Sequence, residues 1–206
     1  MAIRPDFPAS RPDFPVHRNP HAPLPESRQA RPRPALRLVA SRPDYIAFRA
    51  GWRSLRNADD FEALCQHHWL DPLQALRHGP IGFTAQLPGN IADPLLRLVA
   101  QGLPMRFDIG GRSGAPAWHG IVESLTGDED SLLVRARGFS LRIAHARVGS
   151  TWRMALPDTE GLRESLELFD LQGKPMVSIG AAPDCRPDQR WIFGRLLRHA
   201  LAGSLE

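Results

Sequence analysis

The chain has 206 residues, with 26 basic and 22 acidic side chains and a formal net charge of +4 at pH 7. No run of residues approaches the roughly 18 apolar positions of a membrane-spanning helix, so we expect no helical membrane protein. The N-terminal residues lack an apolar core segment, so no secretory signal peptide is expected. The two cysteines form no CxxC or metal-binding pattern, which argues against a disulfide framework or a zinc finger and favours a reducing intracellular compartment.

The first 43 residues differ in composition from the rest. They hold eight arginines, three acidic residues and ten of the 20 prolines, a net charge of +5, whereas the remaining 163 residues carry −1. Proline removes backbone donors and prevents an amphipathic helix, which also argues against a mitochondrial transit peptide. We predict a disordered Pro/Arg-rich tail over residues 1–43 and a folded domain over residues 44–206. The tail either has no selected role or is a tether whose arginines meet an acidic partner or nucleic acid.

Nucleic acid is the less favoured of these partners. Lysine occurs once, at Lys174, and the other 25 basic residues are arginine, which indicates a compositional bias of the whole genome. A basic patch interleaved with aromatic residues, as single-strand binders use, is not visible in the sequence.

Apolar periodicity predicts helices in the first half of the domain. The spacing of Tyr45, Phe48, Trp52 and Leu55 is typical of an amphipathic helix. A second helix carries Phe61, Leu64 and Cys65, with Asp59 or Asp60 as its cap. Asp71-Pro72 and Asp93-Pro94 each predict a helix start, and the resulting helices end near Gly79 and Gly102.

The pattern then changes to the period of two that is typical of strands. Alternating runs are centred on Phe107, Val134 and Leu141, and further β-prone segments lie at residues 148–152, 166–168 and 176–179. A closing helix carries Trp191, Phe193, Leu196, Leu197 and Leu201. The order of helices, strands and helix predicts an α+β fold, with a large antiparallel sheet flanked by N-terminal helices and a C-terminal helix.

Common catalytic and phosphate-binding motifs are absent. The sequence contains no GxxxxGK[ST], GxGxxG, HExxH or GxSxG motif. His67 and His68 are adjacent, so a regular helix cannot direct both at one metal ion. Asp128, Glu129 and Asp130 are interpreted as a solvated hairpin turn.

Residues 44–201 resemble one repeat of the HemS/ChuS haemin-degrading and haemin-transport family, particularly its second repeat. The similarity is carried by YIAFRAGWRSL at residues 45–55, LQALR at 73–77, LLVRARGFSLRI at 132–143 and, most specifically, SLELFDLQG at 165–173. The resemblance implies an α+β fold and cytoplasmic handling of imported haem in iron transport and iron homeostasis. Family members have two repeats, and related ChuX/HutX proteins have a single repeat and pair, so a homodimer is implied here.

The departures from the family fall on the haem site. The family's axial histidine, at the start of the second helix, corresponds to Asp59, a hard anionic ligand whose simpler interpretation is a helix cap. The family's strand arginine corresponds to Ala155. Arg153 lies two residues away on the same face of a regular strand and is a candidate replacement.

Histidine supplies the remaining candidate ligands. The family's strand histidine corresponds to Trp118 in an ungapped alignment and to His119 after a one-residue deletion, and we predict His119 as the metal ligand. His67 and His68 are alternative donors. The predicted haem-binding residues are therefore His119, Trp118, Arg153, Asp59, His67 and His68, with haem as ligand or cargo.

Three functions follow from the resemblance. The first is a haem carrier that passes haem to a haem-uptake or haem-degrading partner protein. The second is a scaffold that has lost haem and acts as an interaction or regulatory module. The third is a haem-degrading enzyme, which needs an external electron source because no flavin or nicotinamide site is visible. We rank the carrier first because it requires only binding, so no catalytic residue is assigned.

Overall fold

A computed structural model describes residues 43–87, 95, 98, 101–111, 116–158 and 161–202 of the chain. The predicted tail, apart from Pro43, lies outside the described residues. Asp93, Pro94 and Val99 of the predicted fourth helix also lie outside them, whereas Leu95 and Leu98 have helical backbone and are almost fully buried.

Among the described residues, three short helices precede the sheet: α1 (Tyr45–Arg53), α2 (Ala58–His67) and α3 (Pro72–His78). The predicted start of α3 is confirmed, because Asp71 accepts from the Gln74 amide at 2.8 Å and Pro72 occupies the first turn. The predicted cap of α2 is wrong. Asn57 is the N-cap, and its side chain accepts from the Asp60 amide at 2.8 Å. Asparagine caps a helix as well as aspartate does, and Asn57 is the residue with extended backbone directly before the first helical residue, Ala58.

In the part of the chain that the structure describes, eight antiparallel strands form one sheet in the order β1-β6-β7-β8-β2-β3-β4-β5. The strands are β1 (Thr84–Leu87), β2 (Pro104–Ile109), β3 (Ala117–Gly127), β4 (Ser131–Ala136), β5 (Phe139–Ala144), β6 (Val148–Asp158), β7 (Gly161–Asp170) and β8 (Pro175–Ala181). A helix, α4 (Pro187–Ala202), follows the last strand. The predicted α+β fold is confirmed.

The helices cover opposite faces of this sheet. Trp152 and Met154 of β6 pack in one core cluster with residues of α1, α2 and α3, and we call this side the front face. Leu166 of β7 and Ile179 of β8 pack with Phe193 of α4, and this side is the back face. Strand β7 contributes to both clusters, with Leu166 on the back face and Phe169 on the front face, because successive side chains of a strand point to opposite faces.

The register aligns residues from distant parts of the chain on the front face. Cross-strand pairs link His119 to Arg106, Arg106 to Gly180, Gly180 to Ser165 and Ser165 to Met154. Directly opposed residues share a face of a sheet. His119 on β3 therefore lies on the same face as the three N-terminal helices, four strands away from Met154.

Candidate functional site

The predicted metal ligand, His119, projects from β3 on the front face and is exposed. Its directly opposed neighbour on β2 is Arg106, whose side chain is 35% exposed. Ile121, two residues further along β3, shares the face and is 56% exposed. These three residues, Arg106, His119 and Ile121, form what we call the β2–β3 patch. Sequence reasoning missed Arg106, because the pairing of two strands cannot be read from either strand alone.

Arg106 is held in place by its own strand. Its Nε donates to Oδ1 of Asp108 at 2.8 Å, and one terminal nitrogen lies 2.7 Å from the same oxygen. Asp108 is 6% exposed, so the carboxylate anchors the guanidinium from the sheet side. The guanidinium retains further donors for a second carboxylate, since it carries five N–H groups.

The chemistry of the patch matches the requirements of haem. A neutral imidazole nitrogen is a common axial donor to haem iron. A guanidinium pairs well with a carboxylate such as a propionate, and an exposed aliphatic side chain offers apolar contact. His119, Arg106 and Ile121 supply these three groups side by side.

Trp118 lies on the other side of the sheet. It is the cross-strand partner of Phe107 on the back face. Its ring stacks on that of Phe139, with the ring centroids 4.6 Å apart and an angle of 9° between the ring planes. The ring also covers Gly120, where an added Cβ would lie 2.8 Å from Trp118 Cζ2. The tryptophan is therefore a packing residue of the back-face cluster, separated from His119 by the thickness of the sheet.

Arg153 is also directed away from His119. It alternates with Trp152 and Met154 of the front face and therefore points to the back face. It is 5% exposed, and its Nε donates to Oε2 of Glu164 at 2.7 Å, while its Nη1 donates to the Gly82 carbonyl at 3.1 Å. Burial lowers the pKa of its guanidinium. The structure thus gives Arg153 an interior ion pair.

The histidines of α2 belong to the helical layer. His67 is exposed, and His68 is partly buried with its ring 5.6 Å from that of Phe48. The centroids of the two imidazole rings are 4.9 Å apart, and the angle between the ring planes is 85°, so the two rings face different directions. Helix α2 packs over β6 and β7, whereas the patch lies on β2 and β3 beyond β8. Asp59 lies in α2, and its side chain is outside the described part of the structure.

A cavity of about 240 Å³ lies on the front face, between helices α2 and α3 and the sheet. Its volume is below the about 300–1,000 Å³ of typical small-molecule pockets. Most of the described lining is apolar, and its ionisable groups are Glu62, Glu167 and the Cys65 thiol. Burial, with help from Glu62 and Asp71, raises the pKa of Cys65 to about 12.

This cavity is a poor match for haem. Its two carboxylates would repel propionates, and Oε1 of Glu167 already accepts from Ser165 at 2.6 Å and Ser178 at 2.8 Å. A thiol that stays protonated is a weak iron ligand. Within the described part of the chain, no cluster of three or more His, Cys, Asp or Glu side chains is arranged to hold a metal ion. The β2–β3 patch is therefore the better candidate.

The chain matches a known domain family. The family model of the haemin-degrading HemS.ChuX domain matches residues 71–192. The hemin transport protein HmuS of Yersinia pestis is 24% identical over 156 residues, which are 73% of this chain and 45% of HmuS. The chain thus spans less than half the length of this curated relative.

Solved structures agree with the family match. The structure of holo-PhuS, a heme-binding protein from Pseudomonas aeruginosa, superposes with a TM-score of 0.67 at 29% identity, over 79% of this chain and 49% of that one. ChuS, an Escherichia coli heme oxygenase, has the same fold with a TM-score of 0.66 at 18% identity, over 78% of this chain and 49% of ChuS.

None of the described helices has the length and apolar character needed to cross a membrane. The family model covers more than half of the chain, and three of the four segments that suggested the resemblance, at residues 73–77, 132–143 and 165–173, lie within the matched range. The chain therefore belongs to the family of the haemin-degrading HemS.ChuX domain.

Proposed function

We propose that this protein binds haem through the β2–β3 patch and carries it to a partner protein in haem utilisation. The observation that carries the proposal is the exposed imidazole of His119 directly opposite the anchored guanidinium of Arg106. Membership of the family supports haem as the ligand, as does the likeness to a heme-binding protein and to a hemin transport protein. His119 would ligate the iron, and Arg106 would pair with a propionate.

The first experiment is a haemin titration of the full chain, followed from the Soret band to the visible bands. We expect saturable binding that His119→Ala weakens by at least about tenfold, since even a hydrogen-bond partner of a metal ligand is worth that much. Arg106→Gln should weaken binding without moving the Soret maximum, because it leaves the iron ligand in place. The matched control is His199→Ala, an exposed histidine on α4.

The result that would contradict this assignment involves the other predicted histidine donors, His67 and His68. If the double variant His67→Ala/His68→Ala abolishes the Soret shift while His119→Ala preserves it, the ligand lies on α2 and the assignment to His119 is wrong. The same spectra test the carrier against an enzyme. A carrier keeps its Soret band when ascorbate and oxygen are added, whereas a haem-degrading enzyme loses it even in the presence of catalase.

A second candidate function is a scaffold that no longer binds haem. Two observations favour it: the Arg153 guanidinium is buried in an ion pair, and the mainly apolar front-face cavity contains two carboxylates that would repel propionates. Unsaturable, nonspecific haemin spectra of the wild-type chain would support this alternative and exclude the carrier.

The homodimer and the cytoplasmic location expected from the resemblance are part of the same proposal. Light scattering of the full chain with and without haemin measures the oligomeric state. Pull-down with purified haem-uptake or haem-degrading proteins, at defined haemin loading, measures whether haem is transferred.

A further inference from the structure

On the back face, one buried carboxylate serves two guanidiniums. Glu164 of β7 has a side chain that is only 4% exposed. Its Oε2 accepts from Arg153, and its Oε1 is ion-paired with a terminal nitrogen of Arg198 on α4. The Arg198 side chain is 44% exposed. The two guanidiniums and the carboxylate together carry a net charge of +1, and the unneutralised positive charge is assigned to Arg198, the partner that is exposed to solvent. Burial and repulsion by Arg153 lower the pKa of Arg198, consistent with this excess.

A glycine lets α4 approach this carboxylate. An added Cβ at Gly194 would lie 2.7 Å from Oε1 of Glu164, so a larger side chain would displace the carboxylate. The close approach leaves a space between α4 and the start of β7 with a volume of about 560 Å³. This volume is within the about 300–1,000 Å³ of small-molecule pockets. We call it the α4 groove; it is lined by Leu162, Glu164, Pro187, Arg190, Trp191, Gly194 and Arg198.

The groove combines apolar surface with positive charge. Leu162 is 53% exposed and Trp191 59%, so both offer apolar surface to a ligand in the groove. The guanidinium carbon of Arg195 lies 5.4 Å from the centroid of the Trp191 ring and supports that ring. Arg190 adds a second cation, after Arg198, to the described lining. Glu164 is the single anion of that lining, and its charge is neutralised by the buried guanidinium of Arg153.

We propose that the α4 groove binds a small organic anion, in which a flat apolar body carries a carboxylate. The carboxylate would pair with Arg198, in the field of Arg190, because a guanidinium fork matches carboxylate geometry. The apolar body would lie against Trp191 and Leu162. The groove lies on the back face and the β2–β3 patch on the front face, so this site is separate from the proposed haem site.

The test compares 2-naphthoate with 2-naphthamide, a neutral molecule of nearly the same shape. Both are titrated into the ¹⁵N-labelled full chain, and the indole N–H resonance of Trp191, assigned with Trp191→Phe, is followed. We expect a saturable shift with naphthoate and binding at least about tenfold weaker with naphthamide, because a charge-assisted hydrogen bond is worth about that factor.

Variants locate the site. Arg198→Gln should weaken naphthoate binding by about tenfold or more. Arg186→Gln is the matched control, since it removes an arginine next to α4 that pairs with Asp188 and does not line the groove. Trp191→Ala changes an exposed side chain and should lose binding in a ligand-observed spectrum, which keeps the test valid if Arg198→Gln does not fold.

Four results would overturn the proposal. Equal binding of naphthoate and naphthamide, or no saturable shift at millimolar naphthoate, removes the anion site. Unchanged binding by a folded Arg198→Gln variant removes Arg198 from it. Loss of naphthoate binding in His119→Ala would place the ligand at the β2–β3 patch instead, whereas retained binding supports two separate sites. None of these results depends on haemin binding.

Discussion

The Arg153 Nε donates to Oε2 of Glu164 at 2.7 Å, and both side chains are more than nine-tenths buried. The pair joins β6 to β7 on the back face, and Arg198 extends it to α4. A buried ion pair adds little net stability relative to apolar residues, but loss of one partner leaves a charge in the interior. The arginine that the sequence offered for a propionate is thus part of the interior.

Glu164→Ala should lower the free energy of unfolding by about 3–5 kcal/mol, because it leaves the Arg153 guanidinium buried without a counter-charge. Arg198→Gln should cost about 1 kcal/mol or less, since that partner is half-exposed and Glu164 keeps Arg153. Urea unfolding followed by tryptophan fluorescence measures both. An equal cost for the two variants would contradict this account.

Trp69→Gly should stabilise the protein. Trp69 follows the C-cap of α2 with a φ of 55°, and it is 86% exposed. The amide of Leu70 donates to the Cys65 carbonyl at 3.0 Å and that of Trp69 to Gln66 at 3.2 Å, a helix end that favours glycine. Glycine relieves the cost of the left-handed backbone, but it also has more freedom to lose on folding than tryptophan. The net effect should raise the free energy of unfolding by about 0.5–1 kcal/mol.

Trp191→Gly is the control for that experiment. It also replaces an exposed tryptophan, but in the interior of α4, where glycine costs about 1 kcal/mol. Thermal unfolding should therefore shift upward for Trp69→Gly and downward for Trp191→Gly. A downward shift for both would mean that Trp69 makes stabilising contacts that offset its backbone conformation.

The β3–β4 turn should make stability depend on pH. Oδ1 of Asp128 accepts from the amides of Ser131 at 2.6 Å and Asp130 at 2.9 Å. These backbone hydrogen bonds, led by that from Ser131, hold the pKa of Asp128 below its ordinary value. A lowered folded-state pKa stabilises the protein fully above the unfolded-state value of about 3.9, and this contribution is lost as the pH falls through the folded-state pKa.

The difference in melting temperature between the wild type and Asp128→Ala should therefore be constant near neutral pH and shrink below about pH 4. Asp128→Asn keeps an acceptor oxygen without the charge and should show a weaker pH dependence relative to the wild type than Asp128→Ala. A difference that stays constant down to about pH 3 would exclude a contribution from the Asp128 charge.

Cys65 should be inert in the folded protein. Burial raises its pKa to about 12 and also raises that of Cys185, so neither thiol ionises near neutral pH. Iodoacetamide at pH 8 should label both cysteines in denaturant and neither in buffer, as counted by mass spectrometry. Cys65→Ser should also leave the haemin spectrum unchanged. A changed Soret maximum would make the thiol, and so the front-face cavity, the haem site.

Local signals predicted most of the elements. The cap and proline at Asp71-Pro72 predicted α3, and strict alternation around Phe107 and Val134 predicted β2 and β4. Strands β1 and β3 were not predicted from alternation. The first has only four residues, and β3 contains Gly120 and a bulge between Val122 and Ser124 that shifts its period.

The sequence by itself determined the order of helices and strands and the family, because periodicity, caps and short motifs are local properties of the chain; His119 as a donor is a prediction from the same motifs. Only the tertiary structure decided which of these side chains meet. Pairing of β2 with β3 placed Arg106 beside His119, and alternation along β6 and β3 sent Arg153 and Trp118 to the opposite face. The physical reason is that strand register is set by contacts between distant segments, and a shift of one residue reverses the face of every side chain.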